Sequence, residues 1–117
     1  LNAQRNRRKT PYTQHVATLL DTSEPPLPGL SEVAFGLHVS VRTLNRHLKA
    51  ENTTYRQLKS QALANRAKLY LRESRLSVEA IAETLGYQDA ANFRRAFRKS
   101  EGCSPIEYRT TVAAGNR

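Results

Sequence analysis

The sequence predicts an all-α fold of about seven helices, with two helix-turn-helix subdomains joined by a long connecting helix. Three observations lead to this prediction. Apolar residues recur at helical spacing, and no stretch alternates as a strand would. Glycines, prolines and capping residues divide the chain into short segments. A pattern of helix, sharp turn and helix occurs twice, on either side of a segment that has neither glycine nor proline.

Composition limits the class of protein. The chain of 117 residues is long enough for one domain or two very small ones, and its net charge of +9 favours a polyanionic partner. Its single cysteine, Cys103, can form neither an intrachain disulfide nor a zinc site. No apolar run approaches the roughly 18 residues of a membrane span, so we expect no membrane partner. A single cysteine fits a reducing compartment, and we expect a cytoplasmic protein. Because the sequence has no methionine, we expect the natural polypeptide to begin upstream.

The first helix-turn-helix subdomain is expected at residues 10–53. Residues 1–9 are basic and aperiodic, which favours a linker, either a simple hinge or an arm that touches phosphate. Thr10 and Pro11 have the types preferred at an N-cap and at the first position of a helix. The three prolines of residues 23–29 then require a loop.

The first repeat runs from Leu30 to Lys49. Its inward positions recur at helical spacing and are Val33, Ala34, Leu37, Leu44 and Leu48. Ser40 suits the N-cap of the second helix, and His38 lies in the turn. Asn52 follows as a left-handed stop.

The second repeat is the more regular one and lies in a subdomain that we place at residues 74–112. Ser77 and Asp89 have the types and positions of N-caps, and Gly86 and Gly102 those of left-handed helix ends. Its inward positions, aligned with those of the first repeat, are Ile81, Ala82, Leu85, Phe93 and Phe97. Its turn, from Gly86 to the cap Asp89, is one residue longer than the turn of the first repeat, from His38 to the cap Ser40.

Two further helices complete the prediction. Residues 54–73 form the connecting helix, whose two apolar stripes suit packing against both repeats. The stripes comprise Tyr55, Leu58, Ala62 and Leu69 on one side and Leu63, Ala67 and Leu71 on the other. A closing helix begins at the N-cap Ser104, with Pro105 in its first position, and residues 113–117 form a frayed tail.

The charge distribution points to the second helix of each repeat. Residues 40–49 and 90–99 contain basic residues and no acid, and segregated charge of this kind marks a binding face. In a helix-turn-helix protein this helix enters the major groove of duplex DNA. Arginine can bridge O6 and N7 of guanine, asparagine can bridge N6 and N7 of adenine, and an alanine methyl can contact a thymine methyl.

Two sets of outward positions are therefore candidates for DNA contact. Those expected to read bases are Arg42, Asn45 and Arg46 in the first repeat and Ala90, Ala91, Asn92 and Arg95 in the second. Those expected to contact phosphates are Ser40, Lys49, Arg94, Arg98 and Lys99. Three alternatives remain: ordinary solvated helix faces, an RNA or nonspecific nucleic-acid binder, and a protein-interaction module. The inward placement of the aromatic residues argues against an RNA-stacking platform.

Catalytic chemistry has little support in the sequence. It contains no Ser/His/Asp set, phosphate-binding glycine loop or cysteine cluster, so we expect no enzyme, no cofactor and no metal site. His15, His38 and His47 lack metal-ligand spacing; His38 is expected to act in the turn, and His47 either packs between helices or contacts a phosphate. Cys103 is expected to be a small packing residue.

With both repeats described, the chain resembles the DNA-binding domain of AraC/XylS-type transcription regulators over about residues 10–110. The resemblance is strongest in IAETLGYQDAANFRRAFRKSEGCSPIEYR, which has an Ile-Ala pair, a Gly-aromatic turn, Phe-x-Arg-x-Phe and Ser-Pro-x-x-Tyr-Arg. It implies two helix-turn-helix motifs that bind double-stranded promoter DNA through the base-reading residues named above. It also implies a separate N-terminal effector-binding or dimerisation domain, absent from this sequence. We expect RNA polymerase as a further partner. Activation and repression both stay open.

The first repeat departs from this pattern at two positions. Phe35 and Gly36 stand where the second repeat has Glu83 and Thr84. We expect Phe35 to pack inward against the first helix; the alternative is an exposed apolar spot for RNA polymerase or the absent domain. The polar residues of the first repeat favour it as the main reader of sequence, whereas the second carries more of the regularity of the fold.

Overall fold

The computed structural model describes residues 11–115. The basic arm expected at residues 1–9 and the N-cap expected at Thr10 lie outside this range. The described residues form seven α-helices and no strand, which confirms the all-α prediction. The helices are α1 (Pro11–Thr22), α2 (Leu30–Gly36), α3 (Val41–Ala50), α4 (Tyr55–Glu73), α5 (Val78–Leu85), α6 (Ala90–Glu101) and α7 (Pro105–Gly115).

The chain divides into two compact units at a point within α4, between Lys59 and Ser60. The first unit contains the helix pair α2–α3, and the second contains the pair α5–α6. In the first unit both α1 and α2 pack against α3, and in the second both α5 and α7 pack against α6. Each unit is thus built around the second helix of its repeat.

The core of the first unit consists of aliphatic side chains. Those with no exposed surface are Val16, Leu20, Val33, Leu44 and Leu48. Polar contacts add to this core where α1 meets the end of α3. The Glu51 carboxylate accepts a hydrogen bond from the Thr13 backbone N–H at 2.9 Å, which satisfies one of the unpaired donors at the start of α1. The rings of Tyr12 and His47 stack with centroids 4.3 Å apart, so His47 packs between helices.

Aromatic rings dominate the core of the second unit. Phe93 and Phe97 are almost completely buried and meet edge-on with centroids 5.9 Å apart. The ring centroid of Tyr108 in α7 lies 5.8 Å from that of Phe97, and the ring centroid of Tyr87 in the turn lies 5.3 Å from that of Phe93. Cys103 is half-buried and packs against the same cluster, in agreement with its expected packing role. These contacts fix α6 by its inner face and leave its other faces to solvent.

Helix ends follow the expected capping chemistry. Gly86 and Gly102 have φ values of 92° and 82°, and Asn52 and His38 have φ values of 68° and 64°. All are left-handed, a conformation that glycine adopts without a Cβ penalty and that costs other residues free energy. The sharp turns of both repeats therefore each contain a left-handed residue shortly after their first helix, His38 after α2 and Gly86 after α5.

Arg109 fixes the C-terminal end of α4 within the second unit. Its Nε donates to the Leu71 carbonyl at 3.1 Å, and its Nη2 donates to the Ser74 carbonyl at 3.2 Å. A cation at the end of a helix also interacts favourably with the helix dipole. One side chain of α7 therefore satisfies carbonyl groups that the end of α4 leaves without helical partners.

Two apolar residues lie on faces other than those expected. Phe35 is 83% exposed, so the expectation that it packs inward is wrong. Val33 and Ala34, directly before it in α2, occupy the inward positions. At about 100° per residue, Phe35 is rotated about 200° from Val33 and about 100° from Ala34, which turns it toward solvent. Leu69 is 43% exposed because it is two residues from both Ala67 and Leu71, whose side chains take the buried face of α4.

The helix boundaries also differ slightly from the expected ones. Gly36 is the last residue of α2 and lies outside the helix interior, where glycine is most costly. α7 continues through Gly115 and so includes Ala113 and Ala114, which the sequence analysis assigned to a frayed tail. Residues 116–117 lie outside the described range.

Candidate nucleic-acid interface

The two helix-turn-helix motifs share a backbone hydrogen-bond pattern at their turns. Val39 N–H donates to the Ala34 carbonyl at 3.0 Å, and the equivalent Tyr87 N–H donates to the Ala82 carbonyl at 3.0 Å. The preceding left-handed residues, His38 and Gly86, each donate to the carbonyl three residues before. The alignment of the two repeats read from their apolar residues therefore matches the geometry of their turns.

Each second helix begins at a side-chain cap. The Ser40 hydroxyl accepts a hydrogen bond from Thr43 N–H at 3.0 Å at the start of α3. The Asp89 carboxylate accepts one from Asn92 N–H at 2.8 Å at the start of α6. A capped helix start fixes the direction in which the first outward side chains point.

The outer face of α3 is basic, exposed and not engaged elsewhere in the described part of the chain. Arg42, Asn45, Arg46 and Lys49 are all exposed, on the side opposite the buried leucines. None of these side chains forms a hydrogen bond or an ion pair with another described residue. The structure thus brings the expected base-reading residues of the first repeat together with Lys49 on one accessible surface.

The equivalent face of α6 is partly occupied. Ala91 and Arg95 are exposed and Asn92 is half-buried, with the Arg95 guanidinium donating a hydrogen bond to the Asn92 side-chain oxygen. Ala90 is half-buried and packs against the core cluster of the second unit, so it is less exposed than Ala91. The aromatic residue Tyr87 in the longer turn belongs to the same cluster.

The basic residues that flank this face are held by acids of the neighbouring helices. Arg94 Nη2 lies 2.9 Å from the Glu79 carboxylate of α5, and Arg98 Nη1 lies 3.7 Å from the Glu107 carboxylate of α7. Lys99 is exposed and has no ion pair within the described residues. Hydrogen bonds from Ser104, together with the nearby Arg98 charge, hold the pKa of Glu107 below its ordinary value.

Sequence reasoning identified the cations of α6 and missed their acidic partners. Glu79 lies in the first turn of α5, and its pairing with Arg94 depends on how two helices pack, which spacing alone does not reveal. Glu107 carries a clearer signal. Ser104 and Glu107 have the Ser-x-x-Glu pattern of a capping box, and the structure contains both of its hydrogen bonds, at 2.8 Å and 3.0 Å.

Other kinds of site find no support in the described range. It contains no group of three or more His, Cys, Asp or Glu residues arranged to hold a metal ion. None of its helices combines the length and the apolar character needed to cross a membrane. The exposed faces of α3 and α6 carry the candidate residues for DNA contact.

The fold and these two faces define a protein of the helix-turn-helix class. The profile of a family described as "Helix-turn-helix domain" matches residues 33–111. The ornithine utilization regulator of Pseudomonas aeruginosa is 42% identical over 94 residues, which is 80% of this chain and 28% of that regulator. The chain therefore spans less than a third of the length of this relative.

Solved structures give the same result. The transcriptional regulator CdpR from Pseudomonas aeruginosa is 39% identical with a TM-score of 0.79, covering 85% of this chain and 31% of that one. A DNA-binding transcriptional dual regulator from Escherichia coli K-12 is 26% identical with a TM-score of 0.81, covering 88% of this chain and 93% of that one. The chain belongs to the AraC-type helix-turn-helix family of transcription regulators.

Proposed function

We propose that this chain is the DNA-binding part of a bacterial transcription regulator and that it binds double-stranded promoter DNA with sequence specificity. The observation that carries the proposal is the exposed face of α3, where two arginines, an asparagine and a lysine lie together without an acid. Arginine and asparagine at the start of a helix are suited to base edges in a major groove. The proposed partner places the protein in the cytoplasm, at the nucleoid.

Base reading is assigned to the outward residues near the start of each second helix. These are Arg42, Asn45 and Arg46 on α3 and Ala90, Ala91, Asn92 and Arg95 on α6. The residues of α3 supply hydrogen bonds to purines, whereas the alanines of α6 offer methyl contacts to thymine. The first motif is therefore proposed as the main source of sequence preference. Half-buried Ala90 is less exposed than Ala91 for a methyl contact.

Phosphate contacts are assigned to residues at the edges of the same faces. They are Ser40 and Lys49 of the first motif and Arg94, Arg98 and Lys99 of the second. Contacts of this kind set the register of a protein on the duplex and make its affinity depend on salt. They carry no base preference of their own.

We propose that the two second helices occupy successive major grooves. α4 has 19 residues, which at about 1.5 Å per residue gives a helix about 28 Å long. One turn of DNA is about 34 Å, so a helix of this length suits a connection between neighbouring grooves on one side of the duplex. Methylation protection of guanine N7 tests this directly. A bound monomer is expected to protect two patches about one turn apart, and protection of a single patch would contradict the assignment.

Competition between nucleic acids tests the class of partner. The chain is bound to a fluorescent duplex DNA at fixed salt, and unlabelled duplex DNA, single-stranded DNA and hairpin RNA are compared as competitors. We expect duplex DNA to compete best, because α-helices fit its wide major groove and cannot enter the narrow major groove of RNA. RNA competing equally well would favour the nonspecific alternative.

The exposure of Phe35 favours a second role, as a contact for a protein partner. A phenylalanine side chain that is 83% exposed costs free energy in water unless something covers it. RNA polymerase and an N-terminal regulatory domain are the partners we propose. With RNA polymerase as the partner, the chain and the purified holoenzyme are expected to enhance each other's binding to promoter DNA. Phe35→Ser is expected to abolish this enhancement and to leave duplex affinity and thermal unfolding unchanged. Enhancement that survives the substitution would exclude Phe35 from that contact.

A further inference from the structure

The two motifs differ in how their basic side chains are partnered within the described residues. On α6, Arg94 and Arg98 form ion pairs with Glu79 and Glu107. On α3, the cations form none. The shared turn geometry allows the positions to be compared one by one.

Each acid of the second motif has a neutral counterpart in the first. In the alignment of the repeats, Ser31 of α2 stands where α5 has Glu79. Gln57 of α4 stands where α7 has Glu107, and each is the third residue after an N-cap. The Gln57 N–H donates to the Thr54 hydroxyl at 3.1 Å, and the Glu107 N–H donates to the Ser104 hydroxyl at 3.0 Å. The first motif therefore has the same scaffold with a neutral residue at each of these two positions.

The paired cations also have counterparts. Arg94 corresponds to Asn45 and Arg98 corresponds to Lys49 in the alignment of α6 with α3. Lys49 is exposed and lacks an acidic partner among the described residues, whereas Arg98 lies 3.7 Å from its glutamate. The cap of α6 follows the same trend, since it is the carboxylate Asp89 where α3 has the hydroxyl Ser40.

We infer that Glu79 and Glu107 limit the affinity of the second motif for DNA by competing with phosphates for Arg94 and Arg98. The inference rests on the proposed function and names two residues that tune the affinity of the second motif without themselves touching DNA. Both pairs are solvent-exposed, with side-chain exposures of 46% and 66% in one and 62% and 60% in the other. Exposed pairs of this kind exchange partners easily, so the acids weaken binding without preventing it.

The consequence is a division of labour between the motifs. The cations of α3 are available at once, whereas those of α6 must first leave their acids. A phosphate contact that replaces an existing ion pair gains less free energy than one made by an unpaired cation. Nonspecific attraction by the second motif is thereby reduced relative to that by the first motif.

Exchange of residues between the motifs tests the inference. Glu79→Ser and Glu107→Gln give the second motif the residues of the first, and glutamine keeps the capping-box position filled. Each is expected to raise affinity for a random-sequence duplex about two- to fivefold at low salt, the range that an exposed ion pair supports. The gain should shrink as salt rises, because exposed charges are screened. The reverse substitution, Gln57→Glu, places an acid beside Lys49 and is expected to lower affinity.

Glu73→Gln provides the matched control. Glu73 pairs with Arg72 of α4 at 3.7 Å, so its substitution removes the same charge away from α6. Affinities are measured by fluorescence anisotropy, and thermal unfolding verifies that each variant is folded.

Three results would overturn the inference: unchanged or lower affinity for both acid variants, an equal gain for Glu73→Gln, or a gain for Gln57→Glu. Failure of the wild-type chain to bind any duplex DNA would refute the proposed function itself, and the inference with it. The two failures are thus distinguishable in one set of titrations.

Discussion

Arg46 offers a direct test of the reading role assigned to α3. Its side chain is exposed and makes no hydrogen bond or ion pair with a described residue, so Arg46→Ala removes no polar interaction of the described fold. We expect the free energy of unfolding to change by less than about 0.5 kcal/mol, as for other substitutions of exposed residues. Loss of a bidentate contact to guanine should cost about 1–3 kcal/mol of specific binding, which is about 5- to 160-fold in Kd.

Arg56→Ala separates this effect from simple loss of charge. Arg56 of α4 is also exposed and unpaired within the described range, yet it lies outside both second helices. Its removal is expected to weaken binding to specific and random duplexes by the same small factor. The assay is fluorescence anisotropy with a duplex containing the preferred site and with duplexes changed at one base pair at a time.

The distinguishing result is the pattern of base preference. The Arg46→Ala variant should bind duplexes with any base pair at one position of the DNA site about equally well, and it should keep its base preference at the other positions. If Arg46→Ala retains the full preference of the wild-type chain, or if Arg56→Ala loses as much affinity, α3 is not docked as we propose.

Three further predictions concern salt, helix ends and pH. Lys49→Gln should lower the slope of log Kd against log salt by about 0.9 without changing base preference, because one phosphate contact is lost; an unchanged slope would exclude that contact. Gly102→Ala should destabilise the fold by about 1–2 kcal/mol in urea unfolding, because a Cβ at φ 82° is strained although it meets no atom within 4 Å. The matched control is Gly36→Ala, because Gly36 has no positive φ and no atom lies within 4 Å of an added Cβ. This substitution should be neutral or stabilising by up to about 1 kcal/mol. Equal effects at both sites would contradict the claim that the left-handed φ of Gly102 requires glycine. Because folding lowers the pKa of Glu107, this carboxylate stabilises the fold at pH values above its unfolded pKa, and the stabilisation is lost as the pH falls through its folded pKa. The Glu107→Gln variant should therefore lose less stability than the wild-type chain on acidification below about pH 4.5. Identical profiles of stability against pH would contradict the contact between Glu107 and Ser104.

The positions of the helices could be predicted because the chain marks their ends chemically. Ser77, Asp89 and Ser104 are caps whose side chains act within three residues, so their effect is local and readable from sequence. The left-handed ends at Gly86 and Gly102 follow from the conformational freedom of glycine for the same reason. Local rules of this kind also located the outward face of α3.

Contacts between helices were not predictable in the same way. The pairing of Arg94 with Glu79 and the capping of α4 by Arg109 join residues far apart in the chain, and many arrangements satisfy the same periodicity. Phe35 was misjudged because an aromatic residue usually favours the interior, whereas α2 is short and its inward face is already filled. The residues that tune the site are therefore the ones that sequence alone did not reveal.

Selection of bound sites from random duplex DNA tests the central claim, that α3 and α6 both read sequence. The wild-type chain is expected to select sites with two blocks of fixed bases about one DNA turn apart. Arg46→Ala should weaken one block and Arg95→Ala the other. Selection of no preferred sequence, or of sites that neither substitution alters, would contradict the account.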